Sequence, residues 1–205
     1  MARQSNDPAE RAQASANVEA GIDRLSHLVS QLLTMSRLED EDAPPVRAAV
    51  DWHEIVQQVL SDCLTLSERR QVDMEVTWPA AIDPPLPVRG DPALLGIMLR
   101  NLMDNALRYS PAGTLVTLAF APDAITVSDH GPGVAPGLLP RLGDRFFRGA
   151  GQREQGNGLG ISIARRVATL HGLSLTFDNL ASSGHTGLIA TIRPATGQTP
   201  SPHSP

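Results

Sequence analysis

The amino-acid sequence predicts an α+β protein in which three helices cover one face of a sheet of about five strands. Three segments carry apolar residues at helical spacing, and five short segments alternate apolar and polar residues as half-buried strands do. Several of these strands lie close enough together to form hairpins, which favours a two-layer sandwich. The 205 residues, 41% hydrophobic and 19% charged, suffice for one core and an appendage.

Local signals place each element. Asp51 is suited to cap a helix that ends near Arg70. Asp91 is suited to cap a second helix, because Pro92 then occupies the first helical position. The other predicted elements are a strand over 72–78, hairpin strands over 114–120 and 124–129, a glycine-opened helix over 158–172, and strands over 173–177 and 187–193.

Two further segments lack periodicity. Residues 130–157 hold much of the glycine, which predicts a long loop and a candidate lid over a binding site. Residues 195–205 form a tail with nothing to bury, so we expect it to be disordered.

The first 42 residues differ from the rest of the chain. Apolar residues recur there at alternating spacings of four and three, as in a coiled coil or helical bundle: Val18, Ile22, Leu25, Val29 and Leu32. The acidic segment "LEDEDAPP" (38–45) ends in two prolines and is typical of a linker. We therefore predict a helical segment over 1–42, a domain over 43–194 and a tail over 195–205.

Composition excludes several function classes. A net charge of −5 with 3% aromatic residues argues against a nucleic-acid partner, which requires a basic face and stacking rings. No apolar run approaches the roughly 20 residues of a membrane span, so no membrane contact by this segment is expected. The acidic balance suits a cytoplasmic protein, and Cys63 stands among apolar neighbours, where a buried, inert thiol is expected.

A polar stripe interrupts the second helix. Asn101, Asn105, Arg108 and Tyr109 recur on one helical face, opposite the apolar residues. An amide oxygen suits Mg²⁺ that keeps most of its waters and shares a polyphosphate, and Arg108 adds a positive charge nearby. The alternative is that both asparagines only bond a neighbouring loop.

Two glycine-rich segments are further candidate ligand contacts: one lies at the end of a predicted strand, and the other lies between the long loop and the third helix. In "DHGPG" (129–133), Asp129 can accept a hydrogen bond from an exocyclic amine while Gly131 and Gly133 let backbone approach a flat ligand. An ordinary turn at a strand end is the alternative. In "GNGLG" (156–160), glycines before a helix leave N–H groups that can face an anion, although simple close packing also explains them.

Between these segments lies "DRFFRG" (144–149), whose phenylalanines could anchor the loop. Arg145 or Arg148 could reach phosphate oxygens, although a loop arginine is more often only solvated.

The order of these four motifs resembles one family: the ATP-binding domain of sensor histidine kinases, in the superfamily of the gyrase, Hsp90 and MutL ATPases. The resemblance covers about residues 46–193 and implies the Bergerat ATP-binding fold, with a mixed sheet. The segment "IDRLSHLVSQLLTMSRLED" resembles the second helix of that family's dimerisation and phosphotransfer hairpin. The resemblance therefore implies a first helix, carrying the phosphoacceptor histidine, that we do not expect within these residues.

The resemblance implies roles for individual residues. Asn105 would bind Mg²⁺, with Asn101 in support, and Asp129 would accept from the adenine amino group. Arg148 would lie near the γ-phosphate. The other implied nucleotide contacts are Arg108, Tyr109, Gly131, Gly133, Arg145, Gly156, Gly158, Leu159, Gly160 and, through water, Thr191.

The implied function is transfer of the γ-phosphoryl group of ATP·Mg²⁺ to a histidine on the absent helix, for relay to an aspartate of a response regulator. The parent would be a homodimeric inner-membrane sensor of which this chain is a cytoplasmic portion. Two alternatives remain: an ATPase or serine kinase of the same superfamily, similar to anti-sigma factors, and a nucleotide-sensing module without catalysis.

Overall fold

A computed structural model describes residues 48–80, 85–144, 158–180 and 186–195, and the single positions Val18, Gly21, Val29 and Gln31. The contacts divide the chain into two compact units, Met1–Asp40 and Glu41–Pro205, and this division falls in the predicted linker. The four described residues of the first unit are helical. All elements below belong to the second unit.

The second unit contains, within its described ranges, three α-helices, a short 3₁₀ helix and seven strands. In chain order they are β1 (Ala48–Ala49), α1 (Trp52–Arg70), β2 (Asp73–Thr77), β3 (Arg89–Gly90), α2 (Pro92–Tyr109), β4 (Leu115–Phe120), β5 (Ile125–Ser128), the 3₁₀ helix (Pro136–Arg141), α3 (Gly160–Leu170), β6 (Leu173–Asn179) and β7 (Leu188–Pro194). Every helix and strand predicted for the domain is present, with bounds shifted by a few residues.

Five strands form one mixed sheet in the order β2-β4-β5-β7-β6. Strand β2 runs parallel to β4, and the other neighbours are antiparallel. The register places Val127 opposite both Leu118 and Ala190. Strands β1 and β3 form a separate two-stranded ribbon that the sequence pattern did not predict.

The three helices pack side by side against one face of this sheet, with α2 in the middle. Asp51 and Asp91 both cap as predicted: each carboxylate accepts hydrogen bonds from two amides of the first turn. The core lies between the two layers, and its fully buried members include Leu99, Leu118 and Ile192. The predicted two-layer α+β sandwich, with a mixed sheet of five strands, is confirmed.

Cys63 on α1 is buried, as predicted. Burial raises the pKa of its thiol to about 12, with the nearby carboxylate of Asp104 acting in the same direction. The thiol is therefore neutral and inert in the folded protein.

A histidine ties the end of α3 to the start of α2. His171 donates from Nδ1 to the carbonyl oxygen of Val167 at 2.8 Å. Its Nε2 accepts from the backbone N–H of Asp91 at 3.0 Å. The ring lies so close to Gly90 that a Cβ at this position would overlap it. His171 is thus a structural residue that joins α3 to the start of α2.

The predicted loop over 130–157 contains the 3₁₀ helix in its first half, and residues 145–157 of it lie outside the described residues. Among the described residues, no helix combines the length and apolar character that crossing a bilayer demands.

Candidate functional site

A pocket opens between the middle of α2 and the ends of three strands. Its empty space amounts to about 210 Å³, including the part open to solvent. Six of its lining residues are apolar, and Asn105 and Asp129 are the two polar ones. The full lining is Leu102, Asn105, Ala106, Val127, Asp129, Phe177, Leu188 and Ala190. A largely apolar lining with two polar side chains suits an aromatic heterocycle that carries hydrogen-bonding groups.

Asp129 follows β5 directly, and the residue is 4% exposed. Its Oδ1 accepts hydrogen bonds from the backbone N–H groups of Gly131 at 2.8 Å and Leu188 at 3.0 Å. Both hydrogen bonds that the carboxylate accepts from described residues thus end on the same oxygen. Oδ2 therefore retains its capacity to accept a hydrogen bond from a ligand in the pocket.

Burial raises the pKa of the Asp129 carboxyl, because removal from water penalises its charged form. The two backbone hydrogen bonds and the neighbouring His130 act in the opposite direction and are the smaller effects. A buried carboxyl with a perturbed pKa in a pocket is typical of a functional group rather than of a surface charge.

Two glycines allow backbone segments to close around Asp129. A Cβ at Gly131 would lie 2.8 Å from the carbonyl oxygen of Tyr109 and 2.9 Å from Oδ1 of Asp129. A Cβ at Gly187, immediately before β7, would overlap the carbonyl oxygen of Asp129. Any larger residue at either position would push apart the segments that hold the carboxylate.

The two asparagines of α2 have different surroundings. Asn105 is half-buried and lines the pocket. Asn101, one turn earlier, is 9% exposed, and its Nδ2 donates to the carbonyl oxygen of Ile97 at 2.8 Å. The amide of Asn101 is therefore bound to its own helix, and Asn105 is the asparagine that faces the ligand space.

Arg108 and Tyr109 lie at the end of α2. The guanidinium group of Arg108 is 3.7 Å from the carboxylate of Asp104, and its side chain is 36% exposed. Tyr109 is half-buried, and its carbonyl oxygen packs against Gly131. Within the described residues, the pocket wall includes neither of these two side chains.

The glycine-rich segment before α3 has an uncapped helix start. Gly158 has a φ of 67°, Leu159 is buried at the N-cap position, and Gly160 is the first helical residue. Among the described residues, no side chain caps the first turn, and this turn contains no acidic residue. The predicted contacts Arg145, Arg148 and Gly156 lie outside the described residues.

The structure does not place Thr191 with the other predicted residues. Along β7, Leu188, Ala190 and Ile192 are buried towards the helices, and Thr191 alternates with them. Its side chain therefore lies on the opposite face of the sheet from the pocket, so Thr191 does not belong to the proposed site.

Sequence reasoning missed the wall that β6 and β7 contribute: Phe177, Leu188 and Ala190. Their alternation marked them as inward-facing strand residues, but only the sheet order brings them beside Asp129. Leu188 has a second role, because its N–H group holds the carboxylate.

Comparison with known proteins identifies this architecture. The family described as "Histidine kinase-, DNA gyrase B-, and HSP90-like ATPase" matches residues 90–197, more than half of the chain. The chain belongs to this ATPase family. The matched range contains α2, Asp129 and its glycines, the start of α3 and the β6–β7 hairpin, which are the parts that build the pocket.

Within this ATPase family the chain is similar to sensor histidine kinases, which confirms the resemblance inferred from the four motifs. The sensor protein QseC of Salmonella typhimurium strain LT2 is 40% identical over 185 residues, covering 90% of this chain and 40% of that protein. The swarming motility regulation sensor protein RssA of Serratia marcescens is 30% identical over 208 residues, covering 97% of this chain and 44% of that protein. The chain thus spans less than half the length of these relatives.

A solved structure shows the same fold. The cytoplasmic segment of histidine kinase QseC superposes with a TM-score of 0.56 at 30% identity, covering 84% of this chain and 93% of that one. The ATPase fold of histidine kinase catalytic domains is therefore established for this chain by sequence and by structure.

Proposed function

We propose that the domain over residues 43–194 binds ATP·Mg²⁺ and is the catalytic domain of a two-component sensor histidine kinase. The observation that carries the proposal is the buried Asp129 carboxylate. It stands in a largely apolar pocket, and the hydrogen bonds that it accepts from described residues leave its second oxygen available to a ligand. Membership of the ATPase family supports the choice of nucleotide.

The chemistry of the pocket lining suits the adenine ring, which has apolar faces and a hydrogen-bonding edge. Its faces would pack on the apolar walls from α2 and the sheet, which include Leu102, Val127 and Phe177. Its exocyclic amine would donate to Oδ2 of Asp129, a charge-assisted hydrogen bond. A purine with a carbonyl group at that position would instead face the carboxylate with an acceptor, so the site should prefer adenine to guanine.

Mg²⁺ would be bound by the amide oxygen of Asn105 together with phosphate oxygens and water. Over the described ranges, no group of three or more His, Cys, Asp or Glu side chains is arranged to hold a metal. A single amide oxygen on the pocket wall does fit Mg²⁺, which retains most of its waters and is shared with a polyphosphate. When bound, the metal would neutralise charge on the phosphates. Asn101, through its bond to α2, would support the helix turn that presents Asn105.

The triphosphate would extend towards the uncapped start of α3. Backbone N–H groups at Gly158, Leu159 and Gly160 are suited to an anion, because the helix dipole adds to the attraction there. Arg108 lies one turn after Asn105 and would contribute positive charge by exchanging its pairing with Asp104 for phosphate. Contacts by Tyr109, Arg145, Arg148 and Gly156 remain predictions from the sequence.

The reaction proposed is phosphoryl transfer to histidine. An imidazole nitrogen of the acceptor would bond to the γ-phosphorus while the bond from this phosphorus to the β–γ bridging oxygen breaks and ADP leaves. The enzyme's contribution is positioning and charge neutralisation. The acceptor histidine would belong to a helix outside this sequence, on the same or the other protomer of a homodimer. A response-regulator aspartate would then receive the phosphoryl group, and the parent would be an inner-membrane sensor.

Calorimetric titration tests the nucleotide site. ATP should bind the wild-type chain more tightly with Mg²⁺ than without it, and Asn105→Ala should remove this difference while retaining adenine binding. Thr191→Ala is the matched control, because its side chain lies on the other face of the sheet. Magnesium-dependent binding that survives Asn105→Ala would show that the metal assignment is wrong.

A mixing experiment tests the transfer step. The chain is incubated with radiolabelled ATP·Mg²⁺ and a separately produced phosphoacceptor helical domain of a sensor kinase. Label on the acceptor histidine supports the kinase. Nucleotide binding without transfer to any such domain would instead support a nucleotide-sensing module, and label on a serine would support an enzyme similar to anti-sigma factors.

A further inference from the structure

An asparagine outside the pocket forms hydrogen bonds with the backbone of the loop that follows Asp129. Asn179 ends β6, and its side-chain Oδ1 accepts from the backbone N–H of Val134 at 2.8 Å. Its Nδ2 donates to the carbonyl oxygen of the same residue at 2.6 Å. One amide side chain thus satisfies both backbone groups of one residue, 45 positions away, as a neighbouring strand would.

Val134 is the last residue of the glycine turn, which we define as residues 131–134. Gly133 has a φ of 69°, a left-handed conformation that disfavours other residues. A Cβ on Gly133 would lie 2.9 Å from Oδ1 of Asn179 and 3.4 Å from the carbonyl oxygen of Gly187. The glycine turn is therefore seated directly on the end of the β6–β7 hairpin.

The same hairpin end also holds Asp129. Asn179 and Leu188 are paired in the register of β6 and β7, and the N–H of Leu188 donates to Asp129. Leu180 donates to Gly187 at 2.9 Å, which closes the hairpin end next to this pair. Two paired residues at the end of the β6–β7 hairpin thus hold neighbouring parts of the site. Leu188 binds the carboxylate of Asp129, and Asn179 binds the glycine turn that follows it.

We infer that Asn179 is a positioning residue for nucleotide binding, acting through the glycine turn, whose Gly131 donates to the carboxylate of Asp129. The inference rests on the proposed function. Asn179 is not part of the pocket wall, so it acts without touching the bound nucleotide. Its two hydrogen bonds set the distance between the glycine turn and Asp129, so that the backbone beside the carboxylate is held in place before the base binds.

The test compares Asn179→Ala with Asp178→Ala. Asp178 is the adjacent residue, exposed and directed to the opposite face of β6, so its loss should leave the two Asn179 hydrogen bonds intact. Two quantities are measured on the full chain: the Kd values of ATP and ADP by calorimetry, and residue-resolved amide hydrogen exchange. Loss of two hydrogen bonds should weaken ATP and ADP by the same factor, about tenfold, because both carry the adenine.

The exchange experiment separates positioning from general damage to the fold. In Asn179→Ala the amide of Val134 should exchange faster, since its acceptor is gone, while the amide of Leu188 should keep its protection through Asp129. If Asn179→Ala fails to fold, Asn179→Asp carries the test. It has the same shape but turns an oxygen towards the carbonyl of Val134, and should weaken ATP binding to a similar extent.

Three outcomes would overturn the inference. Unchanged ATP affinity in Asn179→Ala, with a wild-type chain that binds ATP, would remove the positioning role and leave the proposed function standing. Unchanged exchange at Val134 would show that Asn179 does not hold the backbone N–H of this residue, which removes the positioning contact. A wild-type chain that binds neither ATP nor ADP would overturn the proposed function together with this inference.

Discussion

The carboxylate of Asp129 accepts a hydrogen bond from the backbone N–H of Leu188 at 3.0 Å, although the two residues are 59 positions apart. The backbone N–H of Asp129 in turn donates to the carbonyl oxygen of Leu188 at 3.0 Å. This reciprocal pairing joins the end of β5 to the start of β7 at the pocket. The key carboxylate is therefore positioned by the sheet and not by its own loop alone.

Replacement of Asp129 by asparagine should stabilise the fold in a pH-dependent manner. The substituted side chain would keep an Oδ1 acceptor for both backbone amides but would carry no charge. Because burial raises the folded pKa of the aspartate, its contribution to stability is full at acid pH and is lost as the pH rises through that pKa. The difference in melting temperature, Asp129→Asn minus wild type, should increase from acid to neutral pH. A difference that falls as the pH rises would contradict the assigned burial effect.

Gly90→Ala should destabilise the domain, because the added Cβ overlaps the His171 ring that joins α3 to Asp91. We expect the free energy of unfolding to fall by about 2 kcal/mol, as for other overpacking changes. Urea unfolding measures the loss. Gly137→Ala is the control, since nothing lies within 4 Å of a Cβ there. Equal stability of the two variants would argue against the tight packing of His171.

Gly187→Ala should damage stability and nucleotide binding together. Its Cβ would overlap the backbone oxygen of Asp129, so β7 could no longer approach and Leu188 would lose its hold on the carboxylate. Calorimetry with ATP and thermal unfolding should both show a loss, whereas Gly137→Ala should bind ATP as the wild type does. Wild-type affinity in a folded Gly187→Ala variant would show that this contact does not shape the site.

Cys63 should resist thiol reagents in the native state. Its pKa of about 12 lies far above that of an ordinary thiol, so the reactive thiolate is scarce in mildly alkaline buffer, and burial also blocks access. A colorimetric disulfide reagent should label the native chain very slowly and the denatured chain rapidly at one thiol per molecule, the single cysteine of the sequence. Rapid native labelling would contradict the burial of this side chain.

The fold could be predicted where local sequence carries the signal. Asp91 followed by Pro92 fixes the start of α2, and the alternating residues of β4 and β5 fix a hairpin. The β1–β3 ribbon was missed because two-residue strands have no measurable periodicity. The parallel pairing of β2 with β4 was also invisible, since a strand's pattern shows which face is buried and not which strand is its neighbour.

The candidate site was predictable only in part, because the sequence shows local motifs but not which of them lie together. The motifs marked Asn105 and Asp129, which the structure brings to one pocket. The motifs could not show which of Asn101 and Asn105 faces the pocket. Only the structure shows that the side-chain amide of Asn101 donates a hydrogen bond to the carbonyl oxygen of Ile97. The alternation of residues along β7 argues against a nucleotide contact by Thr191. If Leu188 and Ala190 face the helices, Thr191 faces the other side of the sheet.

The role of Asp129 in binding the base is decided by calorimetric titration of ATP into the wild-type chain and into Asp129→Asn. We expect a wild-type site that binds ATP and a folded variant that binds at least about tenfold more weakly, because an amide N–H group can replace the acceptor for the adenine amine. Equal affinity in the two proteins would contradict the assignment of this carboxylate to the base.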